Sequence, residues 1–220
     1  MGIELDHVII CTALGAPEAA ALAALGLVEG SSNTHPGQGT ANRRFFFRNA
    51  YLELLWVSDP QEAQREPARR TRLWERWSKR ADGACPFGIS LRPHTPSDDV
   101  APPFPTWAYH APYLPPSVKI AIALDTSLTE PDFFYLGFAS RPDRKGREPV
   151  THAVPAGDLT NVRITLPGPE PRSAAARAVS ALGLIDFETG AGYAMELTFD
   201  HGASGGVADA RPALPLILRW

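Results

Sequence analysis

The sequence is poor in cysteine and in net charge, and both shortages exclude classes of protein. Two cysteines among 220 residues are too few for a disulfide framework, and Cys11 and Cys85 lack zinc-motif spacing. We therefore expect two buried, reduced thiols, which suits a cytoplasmic location. The formal net charge is −3, and this near balance does not favour broad attraction to nucleic acid.

Long hydrophobic runs and common enzyme signatures are missing as well. No apolar run approaches the roughly 20 residues that a membrane span needs. The start, MGIELDHVII, has neither a basic region nor a small-residue cleavage site, so no secretory signal is expected. There is no G-x-S-x-G elbow, no H-E-x-x-H and no strand-to-helix G-x-G-x-x-G. A small molecule, rather than nucleic acid or a membrane, is the expected partner.

Proline is abundant, with 22 residues, and much of it lies in the middle of the chain. Segment 59–149 begins with a helical pattern carrying Trp74 and Trp77, and it continues as short apolar runs separated by Pro-rich loops. Prolines at this density exclude long helices and favour strand ends. We expect a helix followed by a Pro-rich β segment in this region.

The two ends of the chain resemble each other. LDHVIICT at 5–12 aligns with LTNVRITL at 159–166, and AALGLVEG at 23–30 aligns with SALGLIDF at 180–187. The first 58 residues read as a βαβββ unit, and 150–220 read as a second copy. The sequence therefore predicts one domain, 1–220, with a pseudo-two-fold repeat and residues 59–149 between its halves.

Two ionisable side chains fall within runs that read as buried strands. Alternation places His7 with Leu5 and Ile9 on one strand face, opposite Asp6, and Glu53 with Leu55 on a face of another strand. An unpaired buried polar group costs roughly 1–3 kcal/mol. We therefore expect His7 and Glu53 to meet, either around a cation or through a direct hydrogen bond.

A family resemblance rests on the two βαβββ units and on three stretches of sequence: LDHVII, HPGQGTANRRFFF followed by YLELL, and WAYHAPYLPP. In these features the chain resembles the glyoxalase-like domain proteins of the vicinal oxygen chelate superfamily. The resemblance implies an α+β fold in which duplicated βαβββ units form a curved mixed sheet, here with extra central strands. It also implies a small-molecule cavity on the concave face.

For a metal-dependent member, the resemblance implies a divalent cation such as Zn, Ni, Mn or Fe on His7 and Glu53. The second unit would add two equivalent ligands. Under the repeat alignment, however, Asn161 takes the place of His7, and Leu216 or Ile217 takes that of Glu53. His152 or His110 would then have to complete the site, with Glu53 as the catalytic carboxylate of a lyase, isomerase or dioxygenase.

The alternative is a metal-free protein that binds or sequesters an apolar or aromatic compound. Trp107 and Tyr109 would supply surface, and Asn161 would face the ligand. In the loop 35–42, His35 and Asn42 would orient the ligand while glycines let the backbone approach it; the other reading of this loop is a simple turn. Both a monomer and a homodimer are compatible with the internal repeat.

Overall fold

The structure is a computed structural model that describes residues 2–97, 99–168 and 173–220. Eight strands form a larger sheet in the order β2-β3-β4-β1-β5-β8-β7-β6. They are β1 (Ile3–Cys11), β2 (Asn33–His35), β3 (Thr40–Phe46), β4 (Tyr51–Val57), β5 (Phe87–Pro93), β6 (Thr106–Tyr109), β7 (Ile120–Ala123) and β8 (Asp132–Tyr135).

A smaller sheet of five strands has the order β10-β9-β11-β13-β12. Its strands are β9 (Leu159–Pro167), β10 (Asp186–Gly190), β11 (Ala194–Phe199), β12 (Val207–Asp209) and β13 (Leu216–Arg219). The helices are short: α1 (Ala19–Ala24), α2 (Pro60–Ala63), α3 (Leu73–Ser78), α4 (Pro142–Lys145) and α5 (Ala174–Ala181), with 3-10 turns at Ala68–Thr71 and Asp200–Gly202. Within the described residues, no helix is long and apolar enough to cross a membrane.

The larger sheet is built from two matching halves. In the first, β1 pairs with β4 in parallel, and β3 and β2 continue antiparallel. In the second, β5 pairs with β8 in parallel, and β7 and β6 continue antiparallel. The halves meet where β1 lies antiparallel to β5. The expected duplicated mixed sheet is present, with both halves inside residues 3–135.

This arrangement differs from the expected repeat, in which 150–220 supplied the second half. That segment does repeat the local pattern, because β9 is followed by a helix and pairs in parallel with β10. Its strands, however, form the smaller sheet among themselves. The true second half was hidden because a Pro-rich connection, and not a helix, joins β5 to β6.

The two sheets share one hydrophobic core. Val8 and Ile10 of β1 pack in the same buried cluster as Val162 and Ile164 of β9. The expected buried thiols are found, since Cys11 and Cys85 are free and buried. Burial raises the pKa of each thiol to about 12, so neither is a reactive nucleophile. With one face of the larger sheet covered, its other face is left to form a site.

A β-bulge changes the expected alternation along β1. The pairing with β5 shifts between Leu5 and His7, so Asp6 is an extra residue in the strand. Leu5 consequently packs against the shared core, whereas His7 lines a cavity on the other face. The extra residue also lets neighbouring side chains point the same way. Asp6 therefore lies beside His7 and not opposite to it, which corrects the sequence-based interpretation.

Candidate functional site

The uncovered face of the larger sheet lines a cavity of about 210 Å³. Alternate residues of each strand point to the same face, so side chains from several strands meet in this cavity. We call the group of polar lining residues its polar end and the group of apolar lining residues its apolar end. The polar end carries His7, Asn42, Glu53 and Ser90; the apolar end carries Ile9, Leu55, Ile122 and Phe134. A site of this kind suits an organic molecule with one polar end.

His7 lies at the centre of the polar end, between two carboxylates. Its Nδ1 is 2.7 Å from Oδ2 of Asp6, and its Nε2 is 3.3 Å from Oε2 of Glu53. The ring stacks on Tyr51 with a centroid distance of 4.3 Å. Asn42 donates from Nδ2 to the other oxygen of Glu53 at 2.7 Å. We call Asp6, His7, Asn42 and Glu53, together with Arg92 described next, the His7 cluster.

Arg92 balances the charge behind His7. Its guanidinium is almost fully buried and lies 3.3 Å from Asp6 through Nε. It also pairs with Glu4 and donates to the carbonyl of Asn49 at 2.8 Å. Glu4 in turn reaches the exposed His94 at 2.5 Å. The buried Asp6 carboxylate is thus neutralised from one side while it holds His7 from the other.

The geometry fixes what His7 can offer to a ligand. An ionised carboxylate only accepts hydrogen bonds, so Nδ1 of His7 carries a hydrogen toward Asp6. Nε2 and the Glu53 oxygen then face each other across 3.3 Å. Both atoms accept unless a proton lies between them. A ligand group that donates hydrogen bonds, or a cation, could take the place of that proton.

Residues 5–109 match the family model described as glyoxalase-like domain. This segment of the chain is similar to a glyoxalase-like domain. The resemblance predicted from the sequence is confirmed, and the mixed α+β fold is consistent with the vicinal oxygen chelate superfamily.

A solved structure, the crystal structure of a hypothetical protein from Staphylococcus aureus, has the same fold with a TM-score of 0.53 and 13% sequence identity. The match covers 99% of this chain and 98% of that chain. At this identity it shows the fold alone. No curated protein matches the sequence.

The second half of the glyoxalase-like sheet does not supply the two further metal ligands that the resemblance implies. Ser90 lies opposite His7 across β1 and β5. On β4, the partner of His7 is Tyr51, and Glu53 lies two residues beyond it. On β8, the partner of Ser90 is Phe134, and Leu136 lies two residues beyond it. A serine and a leucine thus occupy the equivalent places, and neither is a usual ligand of zinc or similar cations.

The remaining donors do not complete a metal site in the described part of the chain. No group of three or more His, Cys, Asp and Glu side chains is placed to hold an ion there. His7 and Glu53 contribute two donors, and the resemblance implies four. The described residues therefore provide two of the four protein ligands that the resemblance implies.

Three of the predicted ligand-binding residues line the cavity. Asn42 bonds Glu53, as described, and its Oδ1 accepts from the backbone of Asn33 at 2.8 Å. His35 lies with Nδ1 2.8 Å from Oγ1 of Thr40 and packs on Tyr113 at 4.6 Å between centroids. Tyr109 is buried on the cavity wall. His35, Asn42 and Tyr109 thus lie with His7 and Glu53.

Four other predicted residues lie elsewhere. His110 is exposed. Trp107 packs under the guanidinium of Arg70 at 4.2 Å, beside a different cavity. His152 accepts from the backbone of Val28 at 3.0 Å and bonds the carbonyl of Phe46 at 2.9 Å. Both ring nitrogens of His152 therefore brace loops.

Asn161, the fourth of these residues, lies in the smaller sheet. It pairs there with Asp186 as His7 pairs with Glu53 in the larger sheet. The sequence alignment equates His7 with Asn161 and Ile9 with Arg163. Asp186 lies opposite Arg163 as Glu53 lies opposite Ile9, and Asn161 donates to Asp186 at 3.0 Å. The register thus gives the place of Glu53 to Asp186 and not to Leu216 or Ile217.

Two residues at this site have weak or no sequence signals. Ser90 is fully buried, and its Oγ has no hydrogen-bond partner among the described residues. Asp6 was assigned to the opposite face because alternation alone cannot reveal a bulge. Ser90 belongs to an unremarkable apolar run, and only its register opposite His7 marks it.

The buried His35 and the half-buried His152 predict a dependence of stability on pH. Burial lowers the pKa of His35 and of His152 below the ordinary value of 6.5. Between each lowered pKa and 6.5, the unfolded chain binds more protons than the folded chain, so stability falls as pH decreases. We expect the free energy of unfolding, from denaturant titrations, to fall between pH 7.5 and pH 5.5. His35→Gln should reduce this loss, and an unchanged slope would contradict the role of His35.

Proposed function

We propose that this protein binds a small organic molecule in the cavity of its larger sheet and holds it through hydrogen bonds without requiring a metal ion. The observation that carries the proposal is a pair of buried hydroxyls. Ser90 and Tyr109 line this cavity, and neither hydroxyl oxygen has a hydrogen-bond partner among the described residues. Leaving a buried polar group unpaired costs about 1–3 kcal/mol, which a bound polar group would relieve.

The dimensions and lining of the cavity indicate the kind of ligand. An apolar cavity of about 150 Å³ is known to accommodate benzene, so 210 Å³ suits a molecule of about one ring. Ile9, Leu55 and Phe134 would contact its apolar part. Its polar part would face His7 and Glu53, whose neighbouring acceptors favour a hydroxyl or another donor group. Burial raises the pKa of Tyr109, so its phenol stays protonated and can donate.

The second candidate is a metal-dependent lyase, isomerase or dioxygenase with Glu53 as its catalytic residue. The observation that favours it is the 3.3 Å separation of Nε2 of His7 and Oε2 of Glu53, since a cation could replace the proton between them. Elemental analysis of protein purified without added metal distinguishes the two candidates. Stoichiometric Zn, Ni, Mn or Fe that disappears in His7→Ala would support the metal-dependent enzyme and contradict our proposal.

The binding proposal predicts opposite effects of one mutation on stability and on affinity. Ser90→Ala removes an unpaired buried hydroxyl, so the free protein should lose no stability, while a polar ligand loses a partner. Phenol and toluene are suitable probes because they share a ring and differ in the hydroxyl. By NMR titration we expect phenol to bind the wild-type protein about tenfold more tightly than toluene, and Ser90→Ala to reduce this preference.

A buried hydroxyl that already has a partner provides the control. Oγ1 of Thr12 donates to the carbonyl of Leu55 at 3.2 Å, so Thr12→Val should cost about 1 kcal/mol and leave the preference for phenol unchanged. The proposal fails if neither probe shifts resonances of the cavity residues. It also fails if Ser90→Ala destabilises the free protein as much as Thr12→Val does.

A further inference from the structure

A second cavity, of about 250 Å³, lies beside the Ala68–Thr71 turn and α3 and against strands β6 to β8. Its charged and polar lining includes Arg70, Arg72, Arg76, Asp125, Thr126 and Asp132, and Trp107 forms part of its wall. Thr71 and Ile122 separate it from the first cavity, since both line the two spaces. The proposed function does not involve these charged residues.

The deep part of this cavity contains opposite charges that do not pair. Arg76 and Asp132 are both buried, yet no ion pair joins them among the described residues. Arg76 donates from Nη1 to the carbonyls of Cys85 at 2.8 Å and Glu130 at 2.7 Å, while its Nε has no partner. Among the residues that the structure describes, Asp132 accepts only from the backbone of Phe133, at 3.1 Å. A buried carboxylate with so little support is costly unless a cation or a donor reaches it.

Two further groups with unused hydrogen-bonding capacity line the same cavity. Oγ1 of Thr126 is buried without a partner among the described residues. Arg70 is exposed and lies with its guanidinium carbon 4.2 Å from the centre of the Trp107 ring. Stacking of this kind leaves the in-plane N–H groups of Arg70 free to bind a carboxylate. Arg72, by contrast, already donates to the carbonyl of Thr126 at 3.1 Å.

We propose that this second cavity binds a small zwitterion that carries an ammonium and a carboxylate group, as a free α-amino acid does. The ammonium group, which only donates, is held by the carboxylate of Asp132. The carboxylate group is held by the guanidinium of Arg70, and the aliphatic side chain lies against Trp107. Charge-assisted hydrogen bonds at both ends account for the selectivity.

Ligands of a single charge fit the lining less well. An anion would meet the arginines but also two carboxylates, Asp125 and the buried Asp132. A cation would be held by Asp132 but would face three guanidinium groups. Burial already raises the pKa of Asp132 in spite of the nearby Arg76, which is consistent with a carboxylate that lacks a close counter-ion. A zwitterion matches both signs at once.

Three compounds with the same aliphatic chain test the proposal by isothermal titration calorimetry. L-leucine carries both charges, isocaproate lacks the ammonium group, and isoamylamine lacks the carboxylate. We expect L-leucine to bind at least about tenfold more tightly than either of the others. Equal affinity of L-leucine and isocaproate, or no saturable binding of L-leucine in the millimolar range, would overturn the proposal.

Mutations test which residue binds the ammonium group of the ligand and which binds its carboxylate group. Asp132→Asn should abolish the preference of L-leucine over isocaproate, and Arg70→Met should abolish its preference over isoamylamine while keeping a long side chain on Trp107. Arg69→Met is the matched control, because Arg69 lies in the same turn but pairs with Glu66 on the surface. If Asp132→Asn does not fold, the exposed Arg70→Met variant still decides the outcome. An unchanged preference in Arg70→Met would refute the assignment, and phenol binding in the first cavity should persist in every variant.

Discussion

Arg92→Met is expected to destabilise the protein by about 3–5 kcal/mol, since removing one partner of a buried ion pair leaves the other charge uncompensated. The Arg92 side chain is 1% exposed and the Asp6 side chain 5% exposed. Arg92 also pairs with Glu4 and donates to the carbonyl of Asn49 at 2.8 Å. Methionine fills the space of the side chain but satisfies none of these groups. Urea denaturation of the wild-type and variant proteins at pH 7 measures the loss.

The control for Arg92→Met is Arg163→Met in the smaller sheet. The Arg163 side chain is 43% exposed and pairs with Glu188 at 3.2 Å, and exposed pairs of this type contribute at most about 1 kcal/mol. Adding Asp6→Asn to Arg92→Met should recover part of the stability, because the stranded charge is then removed. If Arg92→Met is no more harmful than Arg163→Met, the interpretation of the His7 cluster as a balanced charge array is wrong.

Gly39→Ala is expected to cost about 3–5 kcal/mol, because a side chain at this position combines backbone strain with steric overlap. Gly39 has a φ of +71°, and a Cβ atom there would lie 2.2 Å from the carbonyl oxygen of Asp59 and 2.7 Å from the backbone nitrogen of Ala63. Both neighbours are backbone atoms, one just before α2 and one in its last residue, so they cannot turn aside. The measured quantity is again the free energy of unfolding from urea titrations.

The variant Gly15→Ala separates the cost of backbone strain from the cost of steric overlap. Gly15 has a similar φ of +78° but nothing lies within 4 Å of its Cβ position, so alanine there should cost only the strain of the left-handed region, about 1–2 kcal/mol. Equal costs for the two variants would show that the close approach of α2 to Gly39 contributes nothing. Within the loop 35–42, Gly39 thus approaches the protein's own backbone at Asp59 and Ala63.

The loop 35–42 helps to hold the polar end of the cavity in place beside the His7 cluster. Gly39 accepts from the backbone nitrogens of Ser58 and Asp59 at 2.8 and 3.1 Å, which ties the end of β4 to the turn before β3. His35 and Thr40 flank this turn, and Asn42 follows it into the sheet. Displacing Gly39 would therefore move side chains of the polar end of the cavity. Reduced phenol binding in Gly39→Ala is expected to accompany its loss of stability.

The local pattern of residues in the sequence determined several features of this protein. The alternation of apolar residues in β1 and β4 brought His7 and Glu53 to one face, and the cost of burying them singly predicted that they would meet. The resemblance to glyoxalase-like domain proteins came from the motifs LDHVII, HPGQGTANRRFFF followed by YLELL, and WAYHAPYLPP. These features depend on interactions between residues close in sequence or on the fixed period of a strand, and a sequence records both directly.

Tertiary structure alone decided which strands pair and what lies behind the site. The partner half of the larger sheet is β5 to β8, which lacks a helix and so lacks the expected pattern, whereas the recognisable repeat at the end of the chain forms a separate sheet. The bulge at Asp6, the opposition of Ser90 to His7 and the placement of Arg92 depend on register between strands about eighty residues apart. Register is set by the packing of whole faces, and one extra residue reverses the direction of every side chain beyond it.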